Sequence, residues 1–484
     1  MAARQHDEDR FQPFAQKMAE NGLDSIVIET FKHYYDRLVS GETGKIGRSE
    51  IDPVGKHDIP DLNTLGGLET VGREAARKTA VIKLNGGLGT SMGLSKAKSL
   101  LIVKERLSFL DITARQVLSY RNKSGAPLPV AFMSSFATQE DTLEALQAYP
   151  TLSTGDLPLG FLQHKFPKVR QKDLAPVSWP LDPDLEWNPP GHGDIYTSLV
   201  TSGMLGKLLE QGMSYAFVSN VDNLGAVIDE GILGYFAENE FPFMMEVAGR
   251  TEADTKGGHL ARKKAGGFVL REIAQCPEDE LAEFKDIDLF KYFNTNSIWI
   301  NLEALKQLLD DHDNVIPLPM IRNPKTVDPR DETSPPVYQL ETAMGSAIAL
   351  FDQAAAVRVP RSRFLPVKKC QDLLGIWSDA YRLSSDYHLT QNPARDLGPL
   401  TVSLDETHYK KIDQLQSRFP CGAPSLVDCI SLDVQGDVRF GKDVRITGKV
   451  AIKNSADHPM IIADGSRLAQ DVHQGNEQDT RSQA

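Results

Sequence analysis

Ala80-Val81-Ile82-Lys83-Leu84-Asn85-Gly86-Gly87-Leu88-Gly89-Thr90-Ser91-Met92-Gly93 joins a short apolar run to a loop rich in glycine, and Leu94-Ser95-Lys96-Ala97-Lys98-Ser99 follows. The apolar run reads as a buried strand. Glycines let backbone N–H groups approach an anion and adopt positive φ. Lysines just beyond neutralise phosphate. The stretch is a strand feeding a phosphate-binding loop. Spacing excludes two common forms of such a loop. A Walker A loop needs G-x-x-x-x-G-K-[ST], but Met92 holds the first glycine position and Ala97 precedes Lys98-Ser99. The dinucleotide fingerprint G-x-G-x-x-G needs glycine at 92 after Gly87 and Gly89, and the next glycine is Gly93. A nicotinamide dehydrogenase is therefore disfavoured.

Val130-Ala131-Phe132-Met133 and Tyr215-Ala216-Phe217-Val218 are similar apolar runs. Helical spacing occupies 111–121, 138–148 and 195–211. Strands alternating with helices argue for an α/β domain with a mostly parallel sheet. Further strands are predicted at 243–247, 267–270 and 298–302, and the α/β region runs to about 400. Upstream, Phe11, Phe14, Met18, Ile26, Ile28, Phe31, Tyr34, Tyr35 and Leu38 recur at helical spacing. Gly22 separates two short helices there. Residues 41–75, rich in Gly, Pro and Asp, read as an irregular wrap.

Near the C-terminus, Leu432, Val438, Val444 and Val450 recur at a six-residue step, and so do Val434, Phe440, Ile446 and Ile452. Ile462 and Leu468 return to the first column. Two apolar columns with Gly436, Gly441 and Gly448 between them suit a β-solenoid, against an ordinary meander of short strands. The last dozen residues, 473–484, are polar and read as disordered.

Lys and Arg total 53 against 66 Asp and Glu in 484 residues, a net charge of −13. That balance argues against a general nucleic-acid binder, so an anionic ligand must be held by local cations. Four cysteines without a C-x-x-C pair offer neither a zinc ribbon nor a thioredoxin motif. No secretory h-region and no run of 18 apolar residues is present, so the chain reads as soluble and cytoplasmic, without a membrane partner.

Asp222 follows the run 215–218 and so falls at the carboxyl end of a strand, where open α/β sheets bind ligands. Lys368 follows Phe364-Leu365-Pro366-Val367, an apolar approach that brings an ammonium into a site. Pro189-Pro190-Gly191-His192-Gly193 is a rigid turn. The stretches 182–186 and 310–313 read as solvated loops, and 324–336, PKTVDPRDETSPP, as a mobile surface loop.

The glycine loop closely resembles that of the eukaryotic-type UTP–glucose-1-phosphate uridylyltransferases (UDP-glucose pyrophosphorylases). Phe132-Met133-Ser134-Ser135-Phe136, Phe161-Leu162-Gln163-His164, 187–194 with Pro189-Pro190-Gly191-His192-Gly193, and Val218-Ser219-Asn220-Val221-Asp222-Asn223 continue the resemblance. So do Lys256-Gly257-Gly258, Phe293-Asn294-Thr295-Asn296, Gln339-Leu340-Glu341-Thr342 and 359–368. The ordered set spans about 80 to 455.

The resemblance implies a Rossmann-like (glycosyltransferase-A-like) nucleotidyltransferase domain with a mixed, mostly parallel sheet, plus a C-terminal left-handed β-helix. It divides the chain into a helical extension and wrap (1–75), a catalytic α/β domain (76–400) and the coil with its tail (401–484). It implies that UTP and glucose 1-phosphate give UDP-glucose and pyrophosphate with one Mg²⁺ held by Asp222. Galactose 1-phosphate is the nearest alternative substrate, and a catalytically silent nucleotide-sugar-binding assembly subunit the alternative of a different class. Lys98 and Lys368 are the implied catalytic cations; Lys96 and Lys369 stand beside them as alternatives. The Leu84, Asn85, Gly86 and Gly87 backbone, Gln163 and Gly191 would read uracil, with Met133 packing nearby. His192, Gly193 and Asn220 would contact the sugar phosphate, and Asn296 the glucose hydroxyls. A homo-oligomer would form through the C-terminal domain.

Overall fold

The computed structural model describes residues 2–475. Its centre is a ten-stranded mixed sheet. In chain order the strands are β1 (Ile51–Pro53), β2 (Thr79–Asn85), β3 (Val130–Ser134), β4 (Gly160–Leu162), β5 (Tyr215–Asn220), β6 (Phe243–Gly249), β7 (His259–Lys263), β8 (Phe268–Arg271), β9 (Tyr292–Asn301) and β10 (Ala355–Arg358). The main path is β1-β7-β9-β5-β2-β3-β4, with β8 on β7 and β6 joining β9 to β10.

β5, β2, β3 and β4 form a parallel block. β9 runs antiparallel to β5 and β6, and β10 is parallel to β6. These directions bring the ends of β2, β3, β4, β5, β6 and β10, and the start of β9, to one edge of the sheet. Every residue of β2 is buried. Ala80, Ile82 and Leu84 pack with Tyr196, Leu199 and Leu205. Val81 faces the other way, toward Leu110, Ala114 and Val117. A central parallel strand must be apolar on both faces, which is why it reads as a continuous run.

The N-terminal helices are Ala2–Glu20 and Ser25–Val39; Asp24 caps the second, accepting from Ile26 N. Phe11, Phe14, Phe31 and Tyr35 interleave their rings, and Phe31 meets Phe166 at 5.1 Å. The pair is thus docked on the segment that follows β4.

In the C-terminal part, Thr401–Leu404, Cys429–Gln435, Gly448–Asn454 and Val472–Gln474 stack in parallel. Val438–Phe440 stacks on Met460–Ile462, and Arg445–Ile446 on Arg467–Leu468. Leu432 pairs with Val450 and Val434 with Ile452, so both apolar columns point inward and stay dry. The cluster filling this coil also contains Met92, Val103, Phe109, Val367, Cys370 and Leu373.

Several stretches differ from their sequence reading. Segment 324–336 is the end of a hairpin, Ile321–Thr326 against Pro336–Glu341, rather than a free loop. Buried Val327 packs with Val177 and Val337, and Lys168 donates to the Val327 carbonyl at 2.8 Å. The wrap contains strand β1 and a helix, Glu69–Ala76. The 195–211 helix is two, Ile195–Thr201 and Met204–Glu210, broken where Gly203 takes φ +70. Residues 310–311 end a helix, Leu302–Asp311, and 183–186 form a tight helical turn whose Glu186 pairs with Lys17. Of the polar end, His473 and Gln474 lie in a strand that pairs with Lys453 and Asn454; residues 476–484 lie outside the described residues. No described helix is long and apolar enough to cross a membrane.

Phe440, stacked on Phe419 at 4.5 Å within the coil, provides a check on this packing. Phe440→Ala is expected to cost about 3–5 kcal/mol, read as a lowered denaturant midpoint.

Candidate active site

The parallel block delivers its strand ends side by side. Asn220 aligns with Leu84, Leu84 with Met133, and Met133 with Phe161. Gly86, Gln163 and Asp222 therefore emerge together.

Leu84, Asn85 and Met133 lie at or next to the ends of their strands. All three are buried. The Leu84 carbonyl accepts from Val221 N at 3.0 Å and the Asn85 carbonyl from Thr138 Oγ1 at 2.8 Å. The Asn85 amide donates to Thr142 Oγ1 at 2.7 Å. Met133 is part of the core. These carbonyls and the Asn85 amide are engaged in the fold, and Gly86 and Gly87 lie just beyond the end of β2. A side chain at 86 would meet Gln163 Oε1 at 2.7 Å, so the glycine gives this amide its room over the loop. The Gln163 amide has no hydrogen-bond partner among the described residues, and its backbone N–H donates to Ser134 O at 2.8 Å.

The loop then curls back. Lys98 N donates to Gly87 O at 3.0 Å, with Gly89 and Gly93 in left-handed conformations. Lys98 Nζ reaches Asp222 Oδ2 at 2.5 Å, and both side chains are largely buried. Lys96 instead projects outward, 3.7 Å from Asp141. The turn bearing Asp222 is held from beneath: Lys83 Nζ donates to Ser219 Oγ and to Ala226 O, each at 2.8 Å. Burial pushes the Lys83 ammonium down to about 7.

Lys368 arrives from β10. Phe364 meets Phe293 edge-on at 4.8 Å, and Lys368 Nζ lies 5.9 Å from the Phe364 ring centroid. No carboxylate pairs with Lys368 among the described residues, whereas Lys369 Nζ is taken by Glu406 at 2.6 Å. Asp372 accepts from both Lys368 N and Lys369 N. Burial raises the Asp372 carboxyl, and the charges of Lys98 and Lys368 oppose that rise. Asn223, next to Asp222, is bridged to Pro366, two residues before Lys368.

On the far side, Gly191 takes φ +79, and a side chain there would meet Thr342 O at 2.4 Å. Gly193 N donates to Thr342 O at 2.9 Å, which clamps the turn. Met344 N donates to His192 Nδ1 at 2.9 Å, leaving Nε2 to carry the proton. Burial lowers the imidazole to about 4, so it is a neutral donor near pH 7. Asn220 ends β5 with its side chain free of partners among the described residues. Asn296 sits at a β-bulge: Glu246 opposes Ser297, Val247 opposes Asn294, and Thr295 and Asn296 stand unopposed. Asn296 has φ +56 and is tied to Asn294 at 2.8 Å. Bulges commonly re-aim a side chain beside a site.

The sequence reading missed Glu272. It follows β8, and its carboxylate lies against Gly258, whose N–H bonds it. Burial raises its pKa, and the charge of Lys368 opposes the rise. The signal in sequence was a lone carboxylate ending the run Phe268-Val269-Leu270-Arg271, ambiguous without the β7–β8 pairing.

The profile of the UTP–glucose-1-phosphate uridylyltransferase family matches residues 28–447. The chain belongs to this family. Its similarity to named family enzymes extends over nearly all of it. It is 39% identical to the UTP–glucose-1-phosphate uridylyltransferase of Solanum tuberosum, covering 91% of each chain. It is 40% identical to that of Saccharomyces cerevisiae, covering 97% of this chain and 92% of the relative. A crystal structure of the L281D mutant of UDP-glucose pyrophosphorylase from Leishmania major, in complex with UDP-glucose, superposes with a TM-score of 0.90 at 42% identity, covering 96% and 99% of the two chains. The Trypanosoma brucei structure gives 0.87 at 45% identity, covering 96% and 100%.

In this member of the family, the buried imidazole has a measurable consequence. His192 has a native pKa of about 4 against 6.5 for the free side chain. Between those values the unfolded chain binds the proton and the native chain does not, so stability falls as pH drops from 6.5 to about 4. The contribution is at most about 3 kcal/mol. His192→Gln is expected to flatten this part of the acid sensitivity, read from denaturation midpoints at pH 7 and pH 5.

Proposed function

We propose that the chain transfers the uridylyl group of UTP to glucose 1-phosphate, releasing UDP-glucose and pyrophosphate. The observation that carries this reading is the Lys98–Asp222 contact at the strand ends, with the segment that bears Lys368 bridged through Pro366 to Asn223 beside it. An oxygen of the sugar phosphate attacks the α-phosphorus of UTP in line. A new P–O bond forms, the α–β bridging P–O bond breaks, and its electron pair leaves with pyrophosphate. The sugar phosphate is already ionised near pH 7, so no general base is needed, consistent with a neutral His192. Catalysis is positioning plus charge neutralisation.

Lys98 bears on the nucleotide phosphates, and Lys368 on the charge that develops during transfer. Gln163 and the backbone ending in Gly86 and Gly87 read the uracil edge, beside Gly191. His192 Nε2–H and Asn220 donate to the sugar phosphate, next to Gly193, while Asn296 and Glu272 face the sugar hydroxyls. Among the described residues no cluster of three or more His, Cys, Asp or Glu is arranged to hold a metal. A single carboxylate suits Mg²⁺, which keeps waters and binds through one or two carboxylates plus substrate phosphates. Asp222 is that carboxylate, and Mg²⁺ would supply charge neutralisation at the phosphates.

We read the coil as a left-handed β-helix, on the six-residue step of its apolar columns. We divide the chain near 75 and 400, since β2 opens at Thr79 and Thr401–Leu404 joins the coil. Four free cysteines favour the cytoplasm. Self-association through the coil is supported by the exposed apolar Ile430 and Ile461; a single-chain mass in solution overturns it.

The test of the reaction is pyrophosphate release from UTP plus glucose 1-phosphate with Mg²⁺, its loss in EDTA, and its rate with galactose 1-phosphate instead. No release with any sugar phosphate overturns the reading. Lys368→Ala is expected to lower kcat by about 10²–10³, and Lys369→Ala by less than about threefold, since the Lys369 side chain is exposed and points to the exposed Glu406.

A further inference from the structure

Asp222 and Lys368 are far apart in sequence, and one buried side chain joins the segments that carry them. Asn223 is 2% exposed. Its Nδ2 donates to Arg363 O at 3.0 Å, and its Oδ1 accepts from Leu365 N at 2.9 Å and from Gly225 N at 3.3 Å. Asn223 also forms an isolated antiparallel bridge with Pro366. The contact is tight along the whole turn: a side chain at 225 would meet Ser362 O at 2.4 Å. The bonded residues, Arg363 and Leu365, flank Phe364, over which the Lys368 ammonium lies.

We propose that Asn223 is a positioning residue that fixes the Lys368 ammonium relative to the Asp222 carboxylate. The proposal rests on the roles given above to those two groups. An amide is suited to this task because it donates to one main-chain group and accepts from another two residues on. Neither alanine nor aspartate meets both demands. Asn223 does not itself touch substrate in this scheme. The segment 363–368 is anchored elsewhere too: Arg363 makes a bidentate ion pair with buried Glu246, at 2.8 and 2.7 Å. Loss of the Asn223 bonds would therefore shift the register of 364–368 without releasing the chain.

A double-mutant cycle tests this. Asn223→Ala is expected to lower kcat about 10–100-fold while the KM for UTP changes less than about threefold, because Gln163 and Gly86 are untouched. In a Lys368→Ala background, Asn223→Ala should cost less than about threefold more. Asn223→Asp keeps the acceptor for Leu365 N and is read the same way should the alanine variant fail to fold. Full multiplication of the two losses, or parallel loss of kcat and UTP affinity, overturns the positioning role. Wild-type turnover in Lys368→Ala alone overturns the functional reading beneath it, and the proposal with it, a result distinct from failure of the cycle.

Discussion

Lys98 and Asp222 meet at 2.5 Å where two parallel strands end side by side. Two opposite charges with little access to water stabilise each other only while both remain; removing one leaves the other poorly solvated and unpaired. The chain as a whole carries −13, so local cations must hold a polyanionic ligand against the net field. Strand direction, the glycine loop and the buried Lys83 beneath the turn all serve to hold these two groups in register.

The remaining groups are brought in by topology. Antiparallel β9 presents its first residues at the edge where the parallel strands finish, and β10 ends there as well. A bulge then turns Asn296 out of the ladder. The Gly191-His192-Gly193 turn belongs to no strand of the main sheet and needs an external clamp, which the backbone of Thr342 and Met344 supplies.

Much of this was legible in the sequence. The apolar runs at 80–84, 130–133 and 215–218 gave strands, and Asp222 and Lys98 fell where strand ends and a glycine loop require them. The six-residue columns gave the coil, because each inward position must be apolar in every turn. What the sequence left open depends on partners far along the chain. Leu84, Asn85 and Met133 sit within matching motifs, and only the strand pairing shows how they are buried. Lys368 and Lys369 are neighbours of one type, and Glu406 pairs with the second. Segment 324–336 has the composition of a loop, and only Val177 and Val337 make Val327 a core residue. Glu272 needed the β7–β8 hairpin to be found.

The coil is joined to the reaction centre by its own interior. Met92, from the glycine loop, and Val367, the residue before Lys368, belong to the same apolar cluster as Val434 and Phe440. A chain trimmed back to the sheet would leave both facing water, and the glycine loop and the segment bearing Lys368 would lose a shared footing. The tail segment is thus better counted as the rear wall of the enzyme than as an appendage to it.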